Sequence, residues 1–359
     1  MPFRKLLCEV LGLSLLCGVC AGYGKKPEQP GKSEKPKTTE KSLPPPDMKG
    51  TAAEEARDVV FSADKRTLVS AHAGKDGSVV IPDGVTTIGK RAFSGRGRQW
   101  LKRVTIPESV TRIESGAFAG CSELADVTIP AGVTHIGSGA FVGCGRVRVA
   151  PGNGRYYNDA AGALIDRQEK KLLHLPNGFS GAYTTPEEVT AIASNAFWSC
   201  KGLTAVKFSA AVTTLEPSAL RACPKVELSP DNPNFYIDAH GALIDRKGKT
   251  LVFLPPAFSG VYTVPAGVTT VGEVMYCNLT GVNIPEGVTT IGDSAFRGCK
   301  RLTEVTIPAS VTVIGPAAFS GCDKLESVTI PPSVKSVGKG AFRSCPCEEA
   351  VKQRFPARR

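Results

Sequence analysis

The dipeptide Ile-Pro recurs at a fixed spacing of 23 residues, at Ile106-Pro107 and Ile129-Pro130 and again at Ile284-Pro285, Ile307-Pro308 and Ile330-Pro331. Phe118 and Phe141 keep the same step, as do Phe197 and Leu220, and then Phe296, Phe319 and Phe342. A cysteine follows each of these three residues later, at Cys121, Cys144, Cys200, Cys223, Cys299, Cys322 and Cys345. Self-similarity at such a period is the mark of a repeat architecture. Within one unit, Val305 and Ile307 alternate with Thr306, the period of a short strand with one buried face. Pro308 removes a ladder donor and ends that strand. Val311 and Ile314 make a second extended piece, and Gly315 permits a turn. Ala318, Phe319 and Cys322 have the spacing of a single helical turn pressed inward. A unit of three sides cannot bury its apolar residues alone, so the units are expected to stack into a solenoid.

Composition agrees with many regularly placed turns. Among 359 residues there are 38 glycines and 27 prolines, spaced along the chain and not at every third position, which excludes collagen. Hydrophobic residues make up 42% and charged residues 21%, enough for a core along most of the length.

The pattern L-x-x-V-T-I-P-x-x-V-T-x-I-G-x-x-A-F-x-x-C, read from Leu302 to Cys322, resembles the BspA-like class of bacterial leucine-rich repeats. The resemblance covers roughly residues 80–345. It implies a β-rich leucine-rich-repeat solenoid on an exported or surface protein, with adhesion or host-protein binding as the associated activity. Two units depart from the pattern. The Met275–Cys277 unit has lost its Phe, and the Phe93 unit has Arg96 where Cys is expected.

A longer motif interrupts the array twice. Residues 151–186 and 230–265 align without gaps at an offset of 79, with 21 of 36 positions identical, including Gly162–Arg167 and Gly241–Arg246. A weaker third copy runs from Phe61 to Pro82. Lys247-Gly248 between apolar runs predicts a β-hairpin. These segments read as wider repeats inside one continuous domain, the first serving also as an N-terminal cap.

Four segments follow from this reading. Residues 1–21 read as a signal peptide, with Arg4 and Lys5 before an apolar run that ends at Val19 and Ala21. The run is too short for a comfortable membrane span, so none is expected after cleavage. Cys17 and Cys20 raise the alternative of a lipid anchor, which the residues before them do not favour. Residues 22–57 form a disordered Pro/Lys-rich linker, extended and semi-stiff. Residues 58–347 form the solenoid, and 348–359 a basic C-terminal tail.

No catalytic constellation emerges, and the chain is read as non-enzymatic. His72, His135, His174 and His240 fall at unrelated positions of the repeat, and no nucleophile elbow, phosphate loop or His-Glu-x-x-His occurs. An enzyme reading would gain from a pocket joining His174 or His240 to carboxylates. One cysteine per repeat along a line cannot converge on zinc, and equivalent thiols point the same way, so the nine left after residue 21 read as a buried ladder. Asp159/Asp166 and Asp238/Asp245 read as turn formers, since their spacing lacks alternating calcium ligands. No cofactor and no metal are expected.

Two surfaces stand out. Lys90, Arg91, Arg96, Arg98, Lys102 and Arg103 put six cations and no acid into fourteen residues around Trp100, where the period stretches to 25. Such a loop suits an anionic glycan or an acidic protein surface. The second is the outer row of the first strand, with Thr105, Thr128, Lys207, Asn283, Thr306 and Thr329 in register. The charge balance, 44 basic against 33 acidic residues, is +11. That favours an acidic partner, while export and the lack of any motif disfavour nucleic acid. The functional expectation is an exported cell-surface or secreted protein that binds an extracellular protein or anionic glycan. The alternative is a passive structural envelope protein with no dedicated ligand.

Overall fold

A computed structural model of the chain describes residues 59–94 and 101–355. Each unit traces three sides. In the unit at 302–322 a strand, Glu304–Thr306, leaves Glu304 and Thr306 exposed and buries Val305. The chain turns after Pro308, where the Val311 N–H donates to the Pro308 carbonyl at 3.1 Å. A shorter strand, Val313–Ile314, then forms the second side. Neighbouring units pair in parallel and in register, Val305 with Val328, and Ile291 with Ile314 and then Val337. Stacking therefore buries Val on Val and Ile on Ile, the solenoid expected from the repeat.

The third side is not helical. Its turns close through bonds from N–H to the carbonyl three residues back, such as Ala318 to Gly315 and Cys322 to Phe319. Ala317 (φ 53°) and Gly321 (φ 73°) are left-handed on either side of Phe319, which breaks any helical course. The freed N–H groups bond instead to the next repeat, Phe296 to Ala318 (2.6 Å) and Phe319 to Ala341 (2.7 Å). The phenylalanines stack in consequence. Phe93, Phe118 and Phe141 form one column at 4.8 and 5.4 Å, and Phe296, Phe319 and Phe342 a second at 5.2 and 5.1 Å. In the unit without Phe, Val274 takes its place in the core.

The two wider repeats carry antiparallel meanders. Tyr156–Asn158, Leu164–Asp166 and Lys171–His174 form the first, and Phe235–Ile237, Leu243–Asp245 and Thr250–Phe253 the second, with the expected hairpin at Lys247-Gly248. The last strand of each rejoins the parallel ladder, beside Ala191–Ile192 and Thr270–Val271. Only five residues, 175–179 and 254–258, then connect to the next long strand, Ser180–Thr184 or Ser259–Thr263. Each connection makes one short turn, Phe179 N–H to the Pro176 carbonyl and Phe258 N–H to the Pro255 carbonyl, both 2.9 Å, where the other units make several.

Both ends are closed. Val60–Phe61 pairs antiparallel with Thr67–Ser70 at the N-terminal end. At the other end, Glu348–Arg354 is the only helix among the described residues. It buries Val351, and Arg354 donates to the Ile330 carbonyl. The sequence suggested a loose basic tail from residue 348. Val351 and Phe355 instead give this segment an apolar face that packs on the last repeat, with Glu348 and Glu349 in its first turn and Lys352 and Arg354 in its last, as a helix dipole favours.

Candidate functional site

The strand face presents its outer residues in one register. Thr105 pairs with Val80, Thr128 with Arg148, Lys207 with Thr184 and Glu227, Asn283 with Thr263, and Thr306 with Thr329. All six residues read from the sequence are exposed. Alternation along each strand puts them outward while Val127, Val206, Val282 and Val305 turn in. The sequence did not single out Arg146 and Arg148, which lie in the same face because Asp126–Ile129 pairs with Arg146–Val149. Arg148 meets Asp126 at 2.7 Å and Lys225 meets Glu227 at 2.7 Å, whereas Arg146 and Lys207 make no ion pair among the described residues.

The basic cluster is divided between two sides. Lys90 and Arg91 are exposed on the turn side, where Arg91 (φ 57°) occupies the left-handed position before Ala92-Phe93. Lys102 and Arg103 stand exposed at the start of the strand face, Arg103 3.9 Å from Asp76. Arg96, Arg98 and Trp100 lie outside the described residues.

His174 does share a cleft with carboxylates, a space of about 250 Å³ that also touches His135, Asp166, Glu169, Lys171 and Glu216. Those carboxylates are already engaged. Asp166 accepts from Arg155 at 2.9 Å and from the Gln168 and Glu169 N–H groups, Glu169 meets Arg155 and Lys171, and Glu216 meets Lys171 and the Ser194 N–H. His174 is buried, its Nε2 is 3.2 Å from the Gly145 carbonyl, and Nδ1 has no partner. Burial pushes its pKa down to about 4, so the ring is neutral near pH 7. The second wide repeat has Phe253 at this position, which marks a core ring. His240 contacts the Phe258 and Tyr262 rings.

The repeated aspartates have structural partners. Asp159 accepts from the Ala161 and Ala163 N–H groups and from the Tyr183 hydroxyl, and Asp238 repeats this with His240, Ala242 and Tyr262. The nine cysteines of the described residues are buried. Seven of the thiols donate to carbonyls one repeat earlier, as in Cys144 to Phe118 (3.2 Å) and Cys277 to Leu254 (3.4 Å).

Sequence reading also missed a groove of about 980 Å³ on the turn side, between Leu220–Pro224 and Met275–Tyr276. Its residues belong to two turns separated by a wide repeat, so no local motif marks it.

Repeat, register and turn ladder agree with one family. A model of the BspA type leucine-rich repeat region matches six copies over residues 75–150, 181–233 and 264–353, more than half of the chain. The chain belongs to the BspA-type leucine-rich repeat family. No curated protein matches it. Solved structures similar to it include a leucine-rich cell surface protein from Faecalibacterium prausnitzii, 29% identical over 70% of this chain and 59% of that one, TM-score 0.45. A leucine-rich repeat protein from Eubacterium ventriosum is 22% identical over 76% of this chain and 91% of that one, TM-score 0.46. The pneumococcal vaccine antigen PcpA is 21% identical over 75% of this chain and 55% of its own, TM-score 0.36. The chain thus spans less than two thirds of the length of the first and third of these neighbours.

Proposed function

We propose that this BspA-type repeat protein is exported to the cell surface or secreted, and binds an anionic partner, a sulfated glycan or an acidic extracellular protein, without catalysis. The observation that carries the reading is the strand face. Thr105, Thr128, Thr306 and Thr329 keep it low, and Arg103, Arg146, Arg148 and Lys207 put four cations on its N-terminal half at fixed register positions, with Asp126 opposite Arg146 and paired to Arg148. A rigid ladder loses little conformational freedom when a long partner lies along it. The basic, apolar leader at 1–21 and the Pro/Lys spacer at 22–57 support display outside the cell. Neutral, buried His174 and the engaged carboxylates beside it support a non-catalytic role.

The test is binding of the purified protein to heparin and to an array of matrix proteins at two salt concentrations. The same array is run with Arg146, Arg148 and Lys207 changed to Ala, and with Lys90, Arg91, Arg96 and Arg98 changed to Ala. Saturable binding that weakens with salt and in the first variant supports the strand face. Loss in the second variant alone moves the site to the basic loop. An array with no saturable ligand refutes the proposal and leaves the passive envelope reading.

A further inference from the structure

The turn side is a ladder with one open rung. In intact stretches an N–H of one repeat donates to a carbonyl of the next: Phe118 to Ala140 and Gly120 to Val142, both 2.8 Å, and Gly298 to Ser320, 2.9 Å. The rung at Ser218–Cys223 has no such neighbour, because the second wide repeat crosses directly through residues 254–258. The N–H groups of Leu220 and Ala222, which correspond to Phe118 and Gly120, have no acceptor among the described residues. The next full rung, at Glu273–Cys277, is two spacings away, roughly 10 Å at about 5 Å each. Between them lies the groove of about 980 Å³, floored by Leu254 and Pro256 and walled by Leu220, Pro224 and Met275.

The first wide repeat leaves the same gap, with the Phe141 and Gly143 N–H groups likewise without an acceptor among the described residues, but there side chains fill the space. There Asn177 donates through its N–H to the Cys144 carbonyl and through Nδ2 to the Gly143 carbonyl, both 3.3 Å, and the Trp198 indole packs over Gly143. In the second gap the position of Asn177 is Pro256, which has no N–H to give, and the position of Trp198, one after Phe197, is Met275, one after Val274. The two copies differ at the two residues that act as a plug.

We propose that this open rung binds an extended peptide in which aliphatic residues alternate with lysine or arginine. Carbonyls of such a strand would accept from Leu220 and Ala222, as the missing repeat would have done, which is strand addition to an exposed edge. Its aliphatic side chains would lie on Leu254, Pro256 and Met275. The basic preference comes from charge. Glu216, Glu273 and Asp293 line the groove against the single guanidinium of Arg221. Lys171 pairs with Glu216 from outside, at 2.9 Å, and Glu273 reaches across the gap to accept the Ser218 N–H, which leaves Asp293 and the outer oxygen of Glu273 against one cation. Arg221 is held flat between Trp198 (4.4 Å) and Tyr276 (5.5 Å), with Nη2 donating to the Tyr276 hydroxyl at 3.2 Å, so it serves as a wall.

The probe is a short fluorescein-labelled peptide of alternating leucine and lysine, titrated into the protein by fluorescence anisotropy, with a leucine–glutamate counterpart. The expected result is saturable binding to the lysine peptide and affinity about tenfold weaker, or less, for the glutamate peptide. The double variant Pro256→Asn with Met275→Trp transplants the plug and is expected to abolish binding with the thermal midpoint unchanged. Should that variant not fold, hydrogen exchange on the unaltered protein decides, through slowed exchange of the Leu220 and Ala222 amides when peptide is added. Failure to saturate, equal affinity for both peptides, full affinity in a folded plugged variant, or unprotected Leu220 and Ala222 amides would each overturn the proposal. None of these readouts depends on the strand face.

Discussion

The thiol of Cys322 donates a hydrogen bond to the carbonyl oxygen of Phe296, 3.2 Å away and one repeat earlier. That carbonyl also accepts the Cys299 N–H of its own turn at 3.1 Å, so both of its lone pairs are used in a buried place. Cys345 repeats the contact on Phe319 at 2.9 Å. The cysteine column is thus a set of small apolar side chains, each carrying one donor that a close-packed turn can use. Cys322→Ala removes that donor and leaves a sulfur-sized void. The expected loss is about 1–2 kcal/mol, read as a lower urea midpoint with unchanged slope. An unshifted midpoint would show that the thiol bond contributes nothing.

The same column predicts inert thiols. Burial pushes the Cys200 thiol up to about 12 and the Cys347 thiol up to about 11, and only the thiolate reacts. Cys299 and Cys345, which hydrogen bonds with Cys277 and Cys322 push down, are kept from the reagent by their burial alone. At pH 8 the nine buried cysteines are expected to react with a chromogenic disulfide reagent at the rate of unfolding, and all at once in denaturant. A fast native phase from any of the nine would refute this.

Phe319 stacks between Phe296 and Phe342 at 5.2 and 5.1 Å and is fully buried. Phe319→Ala opens a cavity in mid-column and is expected to cost about 3–5 kcal/mol. Phe342 has a ring on one side only, so Phe342→Ala is expected to cost less. Urea melts of the two variants, with the reverse order as the failing outcome, test whether the column is cooperative.

The periodic parts of the molecule were legible because each repeat states the same thing. Val305 between exposed Glu304 and Thr306 is a strand in sequence and in space, and Thr306 and Thr329 share a face because neighbouring units keep the count. The third side was misread where spacing is degenerate. Ala318, Phe319 and Cys322 fit a helical turn, but the left-handed residues Ala317 and Gly321 do not announce themselves, since Arg91, Asn195 and Ser218 fill the former position elsewhere. The groove was hidden for another reason. Leu220 and Met275 are 55 positions apart in the chain, and what opens the space is a rung that is missing between them.

The C-terminal helix predicts a capping requirement. Val351 and Phe355 cover the last repeat, and the Ser344 N–H, with no further rung to meet, is capped by the Glu348 carboxylate at 2.8 Å. Removing residues 348–359 uncovers apolar surface of the last repeat and frees the Ser344 N–H and the Ile330 carbonyl. Uncapped solenoid ends associate, so the truncated chain is expected to melt lower and to run as larger species in light scattering. Val351→Asp should do the same more weakly. A monodisperse truncation with an unchanged midpoint would rule the cap out.

His174 makes stability depend on pH in a direction fixed by its burial. Its folded pKa is near 4 against 6.5 for the free side chain. Above pH 6.5 the ring is neutral in both states and contributes no pH dependence. As pH falls from 6.5 towards 4 the unfolded chain binds a proton that the folded chain refuses, so stability drops, and below the folded value the loss levels off at about 3 kcal/mol. The aligned residue of the second wide repeat, Phe253, does not titrate and sits in the same kind of core. His174→Phe is therefore expected to match the parent in fold and to lose less stability between pH 7 and 4.5. Urea unfolding of both proteins at those two pH values isolates the histidine, because every other titrating group is common to the pair. Parallel losses in the two proteins would mean that His174 is protonated in the folded state.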